Sequence, residues 1–247
     1  ADSSLRIGLG LVTSLVYSPD SAVLGSVGYN GMIQLRLLSN NLGRQLAGSA
    51  NSVQSLAFLP NGRLAAITDQ NTVTVLDIGQ EQTNNLVGLT ATPLAIATDV
   101  GGRFVAVGAD DGTVAIWNGQ SGIFVQALNT DLSAVFLVAI SEDGAYIAAA
   151  GPPTEPRIEI WRADGVRLHV LSGPREALTG LAFQPAGGLV AVTSTDGMLR
   201  MWDRENGALV QSVQAQPENG WFSALSFSPN GEVLATGTPT GVLQFWN

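Results

Sequence analysis

The sequence predicts an all-β fold, a six-bladed β-propeller of four-stranded antiparallel blades that occupies residues 1–247 as a single domain. Three observations predict it: a segment repeated six times, apolar and polar residues alternating with a period of two, and turn residues every 8–12 positions. No segment of twelve or more residues keeps a helical period, so helical folds are excluded.

The first strand of each repeat is the clearest element. It alternates bulky and small residues and then meets a turn, as in Ser55-Leu-Ala-Phe-Leu-Pro-Asn-Gly62. The six copies end near Tyr17, Phe58, Thr98, Ile140, Phe183 and Phe227, at intervals of 41, 40, 42, 43 and 44 residues. Because the two faces of a strand point to opposite sides of its sheet, one blade's bulky face can fill its neighbour's small face.

The remaining strands follow in the same order in each repeat. A short apolar run such as Phe104-Val-Ala-Val107 comes second, and a polar turn usually ending in glycine follows it. An alternating third strand often ends in tryptophan, as in Leu199-Arg-Met-Trp202, and a weaker fourth strand completes the blade. This succession is typical of propeller blades.

The two ends of the chain predict how the ring closes. The last repeat stops at its third strand, Leu243-Gln-Phe-Trp246, whereas Ser3-Ser-Leu-Arg-Ile-Gly-Leu9 precedes the first repeat where a fourth strand belongs. We expect Leu5, Ile7 and Leu9 to pair with residues 244–246 and close the ring. The alternative is a propeller from which a seventh blade has been removed.

These motifs resemble the WD40-repeat family along the whole chain. Trp202-Asp203 reproduces the dipeptide of the family, and the Ser-Pro-Asn-Gly and Asp-Gly turns also match. The family's Gly-His before the first strand is missing, because Gly48-Ser49 and Gly173-Pro174 stand there. The histidine-centred tetrad of the family therefore cannot form, and we expect the tryptophans to be held by packing. The resemblance implies a non-enzymatic platform that binds proteins or peptides at a loop face.

Composition excludes most catalytic chemistry. The chain has no cysteine and no lysine, a single histidine and a net charge of −9. Thiolate and Schiff-base chemistry are impossible, and one imidazole cannot build a zinc site of two or three histidines. The negative charge argues against nucleic acid as a partner, and no apolar run is long enough to insert into a membrane.

The remaining polar groups favour structural roles. His169 falls on an outermost strand, away from any converging site, and Asp110-Asp111-Gly112 is typical of a tight hairpin rather than of a calcium loop. The carboxylate spacing of the Asp-box of sialidases is absent. We therefore expect no enzyme activity, no cofactor and no metal.

One loop face is the candidate docking surface. Eight acids fall there against two arginines, Arg157 and Arg175, which gives about −6. Trp221 also falls on this face, where no other repeat has an aromatic residue, and large aromatics are enriched at binding hot spots. The candidate partner-binding residues are Trp221, Tyr29, Asp69, Asp110, Asp111, Glu155, Asp196 and Glu218.

The predicted function is therefore a monomeric interaction platform for a protein or peptide of basic character. Two alternatives stay open: an extracytoplasmic propeller that binds or processes a small ligand or sugar, and a sensor domain of a larger bacterial regulator. Buried carboxylates converging at the channel mouth would favour the first of these. The chain begins with Ala1, which favours an extracytoplasmic location but leaves the compartment open.

Overall fold

A computed structural model shows an all-β fold, as the sequence predicts, and the residues it describes form 23 strands in six antiparallel sheets. It describes residues 12–28, 32–39, 43–46, 53–59, 62–68, 72–80, 82–215 and 220–247. Five sheets have four strands and the sixth has three, and together they form the six blades of a β-propeller. The expected pairing of Leu5, Ile7 and Leu9 lies outside the described residues.

The strands run in chain order within each blade. Blades one and two contain β1 (Val12–Tyr17), β2 (Val23–Gly28), β3 (Ile33–Leu37), β4 (Gly43–Leu46), β5 (Val53–Leu59), β6 (Arg63–Thr68), β7 (Val73–Asp77) and β8 (Gln82–Asn85). Blades three and four contain β9 (Pro93–Thr98), β10 (Phe104–Ala109), β11 (Thr113–Asn118), β12 (Phe124–Asn129), β13 (Leu137–Ile140), β14 (Tyr146–Ala150), β15 (Ile158–Arg162) and β16 (Arg167–Leu171). Blades five and six contain β17 (Leu178–Phe183), β18 (Leu189–Ser194), β19 (Met198–Asp203), β20 (Leu209–Gln214), β21 (Ala224–Phe227), β22 (Leu234–Gly237) and β23 (Leu243–Trp246).

The strand register repeats from blade to blade. The predicted last residue of each first strand pairs with an equivalent residue of the second strand in all six blades. The pairs are Tyr17–Leu24, Phe58–Leu64, Thr98–Val105, Ile140–Ile147, Phe183–Val190 and Phe227–Leu234. Equivalent positions in different blades can therefore be compared directly.

The core consists of apolar layers between blades rather than one central mass. Each of the five layers among the described residues joins the third strand of one blade to the first and second strands of the next. In the layer between blades one and two, for example, Ile33 and Leu35 pack with Leu56 and Phe58. Two alternating positions of the third strand thus face the following blade, while the tryptophan that follows them faces the preceding one.

The Ser-x-Asp and Ser-x-Asn motifs of the repeat have a structural role in the turn between the first two strands of a blade. In blade one, the Ser18 hydroxyl donates to Asp20 at 2.5 Å and accepts from the Val23 amide at 2.8 Å. The same pair of bonds forms around Ser141 in blade four and Ser228 in blade six. Because each serine satisfies a backbone amide that starts the second strand, the motif fixes the hairpin between the first two strands.

Candidate docking face

The turns between second and third strands and the connections into the next blade lie at one end of the propeller. We call this surface the loop face and define it by residues 110–112, 130–136, 151–157, 172–177, 195–197 and 220–223. Neighbouring loops touch one another: the Ser133 amide donates to the Glu155 carboxylate at 3.0 Å, and the Arg175 amide donates to Asp196 at 3.3 Å. In blades four and five, the connection that enters the blade therefore contacts the turn between that blade's second and third strands.

Trp221 is exposed on this face, and its neighbour explains why. Phe222 is completely buried in the layer between blades five and six, where its ring meets the Trp246 ring edge-on with centroids 6.1 Å apart. The Phe222 carbonyl also accepts a 2.6 Å hydrogen bond from the Thr179 hydroxyl. Since Phe222 anchors the segment, Trp221 stays 41% exposed.

Asp110 and Asp111 form a fixed, exposed acidic pair in blade three. The Asp110 carboxylate accepts from the Thr92 amide at 2.9 Å, and Asp111 accepts from both the amide and the hydroxyl of Thr113. Gly112 follows with a φ of 81°, which confirms the predicted tight turn. No ion pair of either carboxylate occurs among the described residues.

Asp196 and Glu155, in contrast, are neutralised by arginines. Arg200 reaches Asp196 at 2.8 Å, and both side chains are nearly buried, with 12% and 11% exposure. Burial would raise the pKa of Asp196, but hydrogen bonds from Arg200, Ser194 and the Met198 amide outweigh it and lower that pKa. Glu155 pairs with Arg157. The hydrogen bond from the Ser133 amide, partly opposed by burial, lowers the pKa of Glu155.

The acidity of the face is therefore smaller than the sequence count gives. That count left out Arg200 and Arg167, because both lie within strands. The structure brings Arg200 to Asp196, and it brings Arg167 to Asp131, which adds two positive charges to the face. Of the eight acids counted, Asp69 and Glu218 lie outside the described residues, as does the candidate Tyr29.

Phe136 is an exposed aromatic on the loop face that the sequence did not single out. It lies immediately before β13, 46% of its surface is exposed, and its amide donates to the Ala150 carbonyl at 2.9 Å. Trp221 lies six positions before Phe227 at the end of its first strand, and the equivalent position of blade four, six before Ile140, is Ala134. The run Val135-Phe-Leu-Val138 is uniformly apolar, so the sequence does not indicate which of its side chains are exposed. The structure shows that Val135 is buried and Phe136 is exposed.

The expectation that packing alone holds the tryptophans is wrong for three of them. The Trp117 indole nitrogen donates to the Val87 carbonyl at 2.8 Å, that of Trp161 to Glu159 at 3.1 Å, and that of Trp246 to the Thr236 hydroxyl at 3.0 Å. Each blade uses a different acceptor, so no repeated motif revealed them. Among the described residues, the Trp202 indole nitrogen has no hydrogen-bond partner.

The other candidate chemical groups have structural partners. His169 lies on β16, the outer strand of blade four, as expected, with its Nε2 2.8 Å from the Glu205 carbonyl. Two carboxylates are buried among the described residues, Asp99 in a turn and Glu159 on a third strand. They belong to different blades and bind local amides, at Phe104 and Asp131 respectively. They do not form a converging pair.

Among the residues described, no group of three or more histidines and carboxylates is arranged to hold a metal ion. A search of the same residues for a helix of sufficient length and apolarity to cross a membrane finds none. A polar cleft of about 310 Å³ lies between blades two and three, and it includes none of the candidate partner-binding residues.

Comparison with known proteins identifies the repeats. The sequence profile of the family described as "WD domain, G-beta repeat" matches residues 83–118, 165–203 and 207–247. These three matches support the assignment of the chain to the WD40-repeat family. Propellers of this family generally act as non-enzymatic scaffolds that bind proteins or peptides.

Curated WD40 relatives are longer than this chain. It is 27% identical over 155 residues to the uncharacterized WD repeat-containing protein sll1491 of Synechocystis, a match that covers 62% of this chain and 43% of the relative. It is 25% identical over 235 residues to protein HIR1 of Cryptococcus neoformans, covering 80% of this chain and 26% of HIR1. The chain thus spans less than half the length of these relatives.

Two solved structures share the fold. A chain of the mitotic checkpoint complex superimposes with a TM-score of 0.82 at 22% identity, and the match covers 96% of this chain and 74% of the other. The computationally designed Ika8 protein superimposes with a TM-score of 0.77 at 23% identity, covering 96% and 71%.

Proposed function

We propose that this WD40 propeller is a docking platform that binds a basic peptide or protein segment on its loop face. The single observation that carries the proposal is the exposure of Trp221 beside the fully buried Phe222. An anchored backbone that presents an exposed indole loses little conformational entropy when a partner covers that indole. Trp221 therefore has the properties of a preorganised binding anchor.

The exposed carboxylates of the loop face favour a partner of positive charge. Asp110 and Asp111 are exposed, and hydrogen bonds fix both carboxylates: the Thr92 amide at the entry of blade three donates to Asp110, and the Thr113 amide donates to Asp111. Lysine and arginine side chains can pair with such carboxylates, and the indole face of Trp221 attracts the same cations. Asp196 and Glu155, already paired with arginines, would position loops rather than contact the partner.

The experiment begins with peptides selected by phage display on the immobilised chain. Affinities of the selected peptides are then measured by calorimetry for the wild type and for Trp221→Ala. A hot-spot contribution of about 2 kcal/mol corresponds to a roughly 30-fold weaker Kd. Leu209→Ala, which removes a 53% exposed side chain from the outer strand β20, is the matched control and should leave Kd within about twofold.

A second pair of variants tests the charge. Asp110→Asn combined with Asp111→Asn should weaken binding and reduce its dependence on salt, because both effects come from exposed carboxylates. Selected peptides without an excess of lysine and arginine would overturn the basic character of the partner. Equal binding by wild type and Trp221→Ala would overturn the docking site itself.

A further inference from the structure

The cleft between blades two and three is lined by hydrogen-bonding side chains that the fold does not use. Its volume is about 310 Å³, and it lies beside the turn from β11 to β12, at the end of the blades opposite to the loop face. The side-chain amides of Gln80, Gln82 and Asn84 line the cleft and have no hydrogen-bond partner among the described residues. These three amides are therefore available to a ligand.

The next two blade boundaries explain why this cleft is open. At the fourth-strand position of Asn84, blade three has Gln126 and blade four has His169. The Gln126 amide nitrogen donates to the Ala163 carbonyl at 2.6 Å, and the His169 Nε2 atom lies 2.8 Å from the Glu205 carbonyl oxygen. Both side chains thus cross to the turn between the third and fourth strands of the following blade and close the boundary there.

Blade two makes its connection to the next blade from a different strand. Asn84 is one methylene shorter than the glutamine of blade three, and no hydrogen bond of its side chain to blade three occurs among the described residues. Arg63, at the start of β6, donates instead to the carbonyls of Gly119 and Gln120 at 2.8 and 2.9 Å. The boundary is therefore held at β6, while the space beside β8 stays open.

Two further side chains of the cleft are fixed by their own turns. The Asp77 Oδ1 atom accepts from two backbone amides of its turn, at 2.9 and 2.8 Å, so Oδ2 remains as an acceptor. The Asn118 Oδ1 atom accepts from two backbone amides of the next turn, at 3.0 and 2.9 Å, so Nδ2 remains as a donor. The cleft thus presents one fixed acceptor and one fixed donor beside the three amides.

The lining of the cleft favours a neutral ligand with many hydroxyl groups. Side-chain amides both donate and accept hydrogen bonds, as hydroxyl groups do, and a carboxylate oxygen can accept from a hydroxyl. The buried side chains of Leu59, Val75 and Val105 form an apolar part of the lining, against which the C–H groups of a sugar ring can pack. An anion would meet the Asp77 carboxylate, and Arg63 already donates to two backbone carbonyls.

We propose that the cleft between blades two and three binds a neutral carbohydrate of one or two sugar rings. Its volume of about 310 Å³ is at the lower end of the range of ligand sites, about 300–1,000 Å³, which suits a ligand of this size. Asp77 and Asn118 hold hydroxyl groups of the sugar, and Gln80, Gln82 and Asn84 provide further hydrogen bonds. The proposal does not rest on docking at the loop face, which lies at the other end of the propeller.

Saturation-transfer NMR on the 247-residue chain tests this binding. The sugar probes are the methyl glycosides of glucose, galactose and mannose and the disaccharides maltose and cellobiose, and acetate is the anionic control. We expect saturation transfer to at least one of the sugars at millimolar concentration and none to acetate. Titration of the strongest probe, followed through the amide signals of the protein, then gives its Kd.

Asp77→Asn tests the site without removing the bonds of the turn, because Asn118 accepts the same two bonds at the equivalent position of blade three. The variant replaces the remaining carboxylate oxygen by a donor and should weaken sugar binding about tenfold. Asp203→Asn is the matched control, since Asp203 caps the equivalent turn of blade five, outside the cleft. Its Kd should equal that of the wild type.

Two variants of β8 test the same cleft independently. Gln82→Ala removes an exposed side chain from the outer strand, so it should weaken sugar binding without disturbing the fold. Asn84→Gln introduces the residue that crosses the boundary in blade three, and it should weaken binding by bridging to the Gly119 carbonyl, the counterpart of the Ala163 carbonyl. If Asp77→Asn fails to fold, Gln82→Ala decides the outcome.

Four results would overturn the proposal. The first is the absence of saturation transfer to all of the sugar probes. The second is a wild-type Kd in both Asp77→Asn and Gln82→Ala, which would place the sugar elsewhere. The third is equal weakening by Asp77→Asn and Asp203→Asn, which would attribute the loss to the turn rather than to the cleft. The fourth is loss of sugar binding in Trp221→Ala with normal binding in Asp77→Asn, which would place the sugar on the loop face.

Discussion

The indole nitrogen of Trp161 donates to the carboxylate of Glu159, 3.1 Å away and completely buried. The same carboxylate accepts from the Asp131 amide at 3.0 Å and lies 3.6 Å from an Arg167 guanidinium nitrogen. A buried carboxylate that loses one hydrogen-bond donor is left partly unsatisfied, which lowers the stability of the fold. A tryptophan that makes no such bond contributes mainly packed apolar area, so its replacement costs only that area.

Trp161→Phe should therefore destabilise the protein more than Trp202→Phe does. We expect Trp202→Phe to cost about 1–2 kcal/mol from lost packing, and Trp161→Phe to cost about 1–3 kcal/mol more from the lost hydrogen bond. Urea unfolding of both variants measures the difference. Equal losses would mean that the Glu159 carboxylate finds another donor when the indole is removed.

Substitution by alanine should destabilise the protein strongly at Phe222 and only slightly at Trp221. Phe222→Ala opens a cavity in the layer between blades five and six and should cost about 3–5 kcal/mol. Trp221→Ala should change the free energy of unfolding by less than about 1 kcal/mol, because the side chain is largely solvated. A loss of about 3 kcal/mol or more in thermal unfolding of Trp221→Ala would make this residue part of the core.

Asp196 should make the free energy of unfolding depend on pH in the acidic range. Its folded pKa is lowered below the ordinary value of 3.8, so the unfolded chain takes up the proton first as the pH falls. The stabilisation is complete above the unfolded pKa and is lost as the pH drops through the lower folded pKa. The free-energy difference between wild type and Asp196→Asn should be constant near neutral pH and should shrink below about pH 4. A difference that stays constant down to pH 2 would contradict this.

Gly108 should not tolerate a side chain. A Cβ at this position in β10 would lie 2.4 Å from the Val135 Cγ1 atom and 3.0 Å from the Val135 carbonyl oxygen. Val135 is buried in the layer between blades three and four. Gly108→Ala should cost about 1–3 kcal/mol through overpacking. Gly188 is the control, since its Cβ would meet nothing within 4 Å. A thermal shift of Gly188→Ala equal to that of Gly108→Ala would refute the steric explanation.

The sequence predicted the blades because they depend on local patterns. The alternating residues and the turn residues that define a blade all lie within one repeat of about 41 residues. The register of the first two strands at Phe58 and Phe183 follows directly from these local patterns. The candidate site was predicted less completely, because it depends on which side chains meet across loops. Arg200 was read as part of a strand, although its guanidinium neutralises Asp196. The acceptors of Trp117, Trp161 and Trp246 differ in each blade, so periodicity could not reveal them.

The layered core has a consequence for how the protein unfolds. Each described layer joins one blade to the next, so a blade loses its support only when an adjacent blade opens. Opening should therefore begin at blades one and six, each of which takes part in a single layer among the described residues, and proceed inward. In native-state hydrogen exchange, amides of β10 and β14 should exchange slowest, and those of β2 and β22 should exchange at a lower free energy of opening. The propeller would then unfold as a line of blades with frayed ends rather than as one cooperative unit.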